Sequence, residues 1–336
     1  MSPVLGSGII PASGAISNEL TAVVRRAFVP KMVYNHSVKS TPLLSALISN
    51  AQMASGGVSS VTQPIQGSNF VNHQWSDYSG SFNQPATVPA ASNAEFNLKL
   101  SVVPIPFLGM EGLVQMGHEI ISLVESRMND AEIMIRDAFA TALFNNSTSA
   151  SQIMGLPAYV DDSTNVAAYG NITRTSSSHY WAAKYLANGI ATAPTRAQLS
   201  VYINALAKAT GERPNMGIMG FGTWTKLQAD LMGIETIQRN PGNGNLDAQV
   251  GFDAIMIGGV PFFPDPYCPE GELYLLNTNY MGLHFHESAA YAFSGFQSTI
   301  PGGQIGYVGV VVTLVELVGV KPKCNYHVTG LTYENI

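Results

Sequence analysis

Charge is what this sequence has least of. Charged residues make up 11% of the 336-residue chain, against roughly 25% in ordinary soluble domains. Between Ser40 and Lys99 the only ones are Asp77 and Glu95. A solvated loop or tail stays open by carrying charge. This stretch of Ser, Gly, Asn, Gln, Ala, Val and Pro is instead suited to lie against other protein. It holds too little core-forming material to be a domain of its own, so it reads as an arm or loop covered by neighbouring subunits. Long apolar runs are also missing. No stretch of about 18 apolar residues exists, which excludes a membrane-spanning helix. Val308 to Val315 is apolar but short and β-branched, and reads as a buried strand. The N-terminus lacks a charged segment followed by an apolar one, so no secretory signal is expected.

Cysteine is nearly absent. Cys268 and Cys324 lie far apart and outside any CxxC pair, so buried free thiols in a reducing compartment are expected rather than a disulfide. The net charge of -6 argues against a dedicated nucleic-acid binder. Arg25, Arg26, Lys31 and Lys39 still outnumber the single acid Glu19 at the start of the chain. They form a small basic end that would face a polyanion or an acidic partner.

Catalytic spacing is absent as well. The sequence has no GxSxG, no HExxH and no phosphate-binding GxxxxGK[ST]. His284 and His286 would point to one face of a strand, as metal ligands do, but no third ligand stands at a matching spacing. A strand-surface or interface pair is the expected reading. Asp161-Asp162 could supply paired carboxylates, yet within DDSTN turn capping is expected. No catalytic, metal or cofactor site is assigned.

What is present is a mixed α+β pattern. Asn18 to Phe28 has helical character ended by Pro30, and Thr41 to Ile48 makes a further short helix with Pro42 in its first turn. Val58 to Ile65 and Glu95 to Val103 alternate as the strands of a long hairpin. Phe70, Trp75, Tyr78 and Phe82 lie between them; mobile exposed aromatics would be costly, so they are expected to dock on a neighbouring subunit. From Glu111 to Asn145 apolar residues recur at spacings of three and four, including Met128, Ala131, Ile135, Ala138 and Ala142. As one helix this would be about 52 Å long at 1.5 Å per residue, a spine for an elongated subunit. Thr195 with Gln198 opens a helix that Gly211 stops. Met216 to Met219 reads as a buried strand and Thr223 to Leu231 as a helix. Gly258-Gly259 turns a hairpin between Ala254 to Ile257 and Val260 to Phe263. Strands follow at Leu273 to Leu276, Gly282 to Phe285, Tyr307 to Val318 and Asn325 to Tyr333. With 46% hydrophobic residues and so little charge, the natural state is expected to be a large oligomer.

This order of parts resembles the major capsid proteins of tailed bacteriophages, the Hong Kong 97-type fold. Three stretches carry the resemblance: GLPAYVDDSTNVAAYGNITR (Gly155 to Arg174), GGVPFFPDPYCPEGELYLLN (Gly258 to Asn277) and VVVTLVELVGVKPKCNYHVTGL (Val310 to Leu331). The resemblance implies an N-terminal arm at 1–50 and an extended loop at 51–106. It implies a peripheral domain at 107–189 with the spine helix at 111–145, an axial domain at 190–300, and a return to the peripheral domain at 301–336. It further implies a non-enzymatic coat assembling into pentamers and hexamers around double-stranded DNA in a virion, built in the host cytoplasm. A portal, a decoration protein and, because no long charged helical extension precedes the arm, a separate scaffolding protein would be its partners. The alternatives are another shell or tail component, or a metal-dependent hydrolase using His284, His286 and Asp161 or Asp162. Some relatives cross-link a loop Lys to an Asn of the next subunit. No Lys lies between Ser40 and Leu98, so no such bond is expected from this loop tip.

Overall fold

The computed structural model describes residues 41–54, 59–67, 91–108, 118–145, 151–174, 180–231, 254–298 and 306–335. In chain order the elements begin with α1 (Pro42–Ser49), β1 (Gln52–Ala54), β2 (Ser60–Gln66), β3 (Ala91–Asn97) and β4 (Lys99–Leu108). Then come α2 (His118–Leu143), α3 (Leu156–Tyr159), β5 (Ala168–Tyr169), β6 (Ile172–Thr173), β7 (Lys184–Thr192), α4 (Arg196–Thr210), β8 (Met216–Met219) and α5 (Phe221–Leu231). The chain closes with β9 (Ile255–Ile257), β10 (Val260–Pro264), β11 (Leu273–Leu276), β12 (Met281–His286), β13 (Ala292–Ser298), β14 (Gly306–Gly319) and β15 (Tyr326–Leu331).

Two sheets organise the molecule. In the first, β14 is central: β4 runs antiparallel along one edge, β12 and β13 follow one another along the other, and β1 lies parallel outside β12. The second sheet has the order β7-β15-β11-β8-β10-β9. Leu199, Tyr202, Ile203 and Leu206 of α4, with Trp224, Leu227 and Leu231 of α5, pack on one of its faces. Its other face, through Met216, Ile218, Phe263, Tyr274 and Leu276, joins a core shared with Leu43, Leu44 and Leu47 of α1, Met128, Ala131 and Ile135 of α2, and Val311 and Val315 of β14. A sheet buried on both faces explains why β8 and β11 are apolar throughout instead of alternating.

Local signals account for both ends of α4 and for the turn between β9 and β10. The Thr195 side chain accepts the Gln198 N–H at the start of α4, and Gly211 ends it at φ 76°. The Gln198 side chain does not return to Thr195 as a full capping box would; it donates to the Tyr202 hydroxyl. Gly258 and Gly259 both adopt positive φ, 61° and 82°, which is what a two-residue hairpin turn demands. Both cysteines are free and buried, and among the described residues no helix is long and apolar enough to cross a membrane.

Two expectations need correction. The second hairpin strand does not run from Glu95 to Val103. Pairing with β2 covers Ala91–Asn97; the Leu98 N–H donates to the Ser59 carbonyl, and from Lys99 the chain pairs with β14. Alternation continues through the switch, so the pattern alone does not show that the partner changes. The spine helix is described over 26 residues, His118–Leu143, about 39 Å at 1.5 Å per residue; the start proposed at Glu111 lies outside the described residues. Its core stripe runs through Met128, Ala131, Ile135, Phe139 and Leu143, while Ala138 is exposed and Ala142 half-buried. The larger side chains take the inner positions because they bury more area. Strand pairing also runs across residue 300. β12 and β13 pair with β14, and β15 joins the sheet of β8 and β11.

Candidate assembly surface

The aromatics Phe70, Trp75, Tyr78 and Phe82 and the cations Arg25, Arg26, Lys31 and Lys39 lie outside the described residues. What the structure does place is the root of the hairpin and the ribbon that continues from it. β4 and β14 pair in register over Lys99 to Leu108 and Gly306 to Val315. Their inner face, with Ile105, Val311 and Val315 buried, joins the core that α2 enters through Met128 and Ile135. Their outer face carries Leu100, Val102, Pro104 and Pro106, opposite Leu314, Val312, Val310 and Val308 in turn. All four β4 residues are exposed, Leu100 at 55% and Val102 at 48%, and the four on β14 are half-buried. The face is apolar and without charge over eight side chains. The reading of Val308 to Val315 as a buried strand therefore holds in full for one face, the other being half-buried.

Proline adds a second property. Pro104 and Pro106 have no N–H, so neither can be a hydrogen-bonded pair with β14. By the same alternation their positions face the strand's outer edge. Among the described residues β4 pairs only with β14, and the two prolines remove donors that an added strand would need. The ribbon thus resists pairing at its edge while offering an apolar face. The alternating prolines in VVPIPF were the available sequence signal; what they lacked was the identity of the partner strand.

The residues that could have formed an active site do not converge. His284 is buried and His286 half-buried on β12. Burial holds the His284 imidazole below its ordinary pKa, and His286 Nδ1 accepts the Ser288 N–H. Asp161 is buried and accepts the N–H groups of Ser163, Asn165 and Val166 and the Asn165 side-chain amide. Asp162 accepts from the N–H and hydroxyl of Thr164. Both are turn caps. Among the described residues no three of His, Cys, Asp and Glu gather as metal ligands would.

Sequence reasoning missed Arg174, which is buried and closes the same loop. Its guanidinium donates to the carbonyls of Ala158 (2.7 Å), Tyr159 (2.9 Å), Val166 (2.9 Å) and Trp181 (3.4 Å), and stands 3.7 Å from Asp161. It also missed Glu316, buried on β14 opposite His284. Burial pushes the Glu316 carboxyl up to about 7, against hydrogen bonds from the Met154 and Leu317 N–H groups and the charge of Lys99. The folded state therefore holds this proton where the unfolded chain, at 4.5, has released it. Stability from this group is full below pH 4.5 and is lost as pH rises through 7, about 3 kcal/mol at 1.36 kcal/mol per pH unit. Asp265, raised to about 6 by burial, acts in the same sense; His284, lowered by burial, opposes them below pH 6.5. The difference between wild type and Glu316→Gln isolates the first. Chemical denaturation from pH 4.5 to 8 is expected to show a flatter pH dependence in the variant, and parallel curves would contradict the assignment.

No family model and no curated protein sequence matches the chain. Solved structures do. A cyanophage A-1(L) capsid subunit superposes with a TM-score of 0.67 at 12% identity, covering 89% of this chain and 95% of that one. The encapsulin of the holo-SrpI complex from Synechococcus elongatus PCC 7942 gives 0.55 at 11% identity over 94% and 98%. The capsid protein of a native GTA particle gives 0.53 at 10% identity over 99% and 96%. The chain thus has the Hong Kong 97-type fold of shell-forming proteins. The capsids of tailed phages, to which the sequence bears its resemblance, are among the shells with this fold.

Proposed function

We propose that this protein is the major capsid protein of a tailed double-stranded DNA phage, assembling into pentamers and hexamers that close an icosahedral head. The likeness to a phage capsid subunit over 89% of the chain carries this reading. The uncharged face of β4 and β14 supports it, because a second copy of the same low-charge chain is the occupant such a face suits. The role is structural rather than catalytic. Many modest, reversible contacts per subunit sum to a stable shell. On this reading residues 1–50 are the arm and 51–106 the extended loop, with Phe70, Trp75, Tyr78 and Phe82 on a neighbour. The second sheet with α4 and α5 belongs to the axial domain, and the spine helix with β12, β13 and β14 to the peripheral domain. A scaffold, a portal, a decoration protein and non-specifically held DNA are the partners, in a virion assembled in the host cytoplasm.

Electron microscopy of particles containing the protein tests the reading, combined with counting its copies. Closed shells with hundreds of copies are expected. A few copies per particle would assign it to a tail or accessory part, and shells around protein cargo without nucleic acid would favour an encapsulin-like role. On a denaturing gel the mature particles are expected to run at the monomer mass; a ladder above it would overturn non-covalent closure.

A further inference from the structure

Glu95 is one of two charges in the neutral stretch, and its surroundings give it a task. It sits on β3 near the root of the hairpin, opposite Thr62 of β2. One carboxylate oxygen accepts the Ser60 hydroxyl of β2 at 3.1 Å; the other accepts the Asn171 side-chain amide at 3.3 Å. The Glu95 backbone N–H donates to the Gly170 carbonyl at 3.0 Å. One residue therefore ties both hairpin strands to the turn between β5 and β6.

That turn is itself shaped for the contact. Gly170 and Asn171 adopt φ 57° and 60°, and a Cβ on Gly170 would stand 2.8 Å from the Phe96 ring. Only glycine lets β3 come so close in that conformation. Phe96 is buried, edge-on to Tyr169 with ring centroids 5.1 Å apart. The Tyr169 hydroxyl in turn donates to the Leu317 carbonyl and accepts the Gly319 N–H. An unbroken line of contacts thus runs from the hairpin through the turn to the end of β14.

We propose that Glu95, Asn171 and Gly170 form a latch that fixes the angle of the extended hairpin relative to the β14 sheet. The buried Phe96 supplies attraction, while the directional hydrogen bonds of Glu95 select one seating among those the apolar contact would allow. A charge is used because a hydrogen bond to an ionised acceptor is stronger than one between neutral groups. The effect on particle geometry rests on the coat-protein reading; the effect on the hairpin does not.

Hydrogen exchange on the soluble full-length protein tests the latch. Glu95→Ala removes both side-chain acceptors. Asn171→Gly removes the donor and keeps a residue at ease with positive φ. Each is expected to speed exchange of the amides in Ser60–Gln66 and Ala91–Asn97 by about tenfold, with those of Gly306–Gly319 unchanged. The double variant is expected to add little to Glu95→Ala, since both break one contact. Unchanged hairpin exchange, or equal loosening of β14, would overturn the latch. In assembled particles Glu95→Ala is expected to broaden the size distribution; particles as uniform as wild type would overturn its part in setting geometry. Failure of the wild type to form shells would count against the coat-protein reading while leaving the exchange result to decide the latch.

Discussion

Arg174→Ala is expected to cost about 3–5 kcal/mol of stability, the scale for breaking a buried ion pair by removing one partner. Four carbonyls, those of Ala158, Tyr159, Val166 and Trp181, lose their donor together. Each buried carbonyl left unpaired costs on the order of 1–3 kcal/mol unless water enters. Asp161, fully buried, keeps its N–H donors but loses the cation beside it. Because native domains are stable by only about 5–15 kcal/mol, much of the variant is expected to appear in the insoluble fraction. Arg174→Lys is expected to recover only part of the loss, since one ammonium has three donors and no planar fork. Denaturant midpoints and soluble yield measure both. A Glu95→Ala protein serves as comparison, its exposed hydrogen bonds costing far less. An Arg174→Ala midpoint within about 1 kcal/mol of wild type would show that the loop is held by other means.

Placing Asp at Leu100 or at Val102, singly, is expected to do the opposite: leave the subunit folded and abolish assembly. Both side chains are about half exposed in the subunit, so a carboxylate there remains hydrated, and the cost to folding stays near that of an ordinary surface change, about 0.5 kcal/mol. Buried beneath a second copy, the same charge would lose its water without a partner, a cost of several kcal/mol at every copy of the contact. Repetition over a shell multiplies the effect. Size-exclusion chromatography and sedimentation are expected to show at least a tenfold loss of assembled mass, with thermal unfolding shifted by only a few degrees. Val102→Thr, uncharged and of similar shape, is expected to assemble. Normal particles from either Asp variant would show that this face looks onto solvent in the shell.

Elements with a short-range physical cause were legible in the sequence. The cap at Thr195 and the stop at Gly211 were, as were the Gly258-Gly259 turn and the strands β8, β10, β11 and β14. So was the role of Asp161, because an Asp two residues before a Ser or Thr caps its own turn. Pairing between distant strands was not legible. β4 and β14 are about 200 residues apart, and nothing in VVPIPF names its partner. β7 and β13 were missed because Gly, Ala and Ser interrupt their pattern. Arg174 carries no local signal of its role; only burial among four carbonyls made it a structural centre.

The sequence by itself determined that this is a low-charge α+β chain with a nearly uncharged segment ahead of a spine helix, one made to be covered by protein. Periodicity, turn chemistry and composition are local quantities, and they suffice for that. The tertiary structure decided where the hairpin ends: Ala91–Asn97 closes it on β2, the chain from Lys99 onward lines β14, and Glu95 is set against Asn171. It also decided which face of β14 is left apolar and outward. Those outcomes depend on contacts between residues far apart in the chain, whose geometry follows from folding the whole core at once.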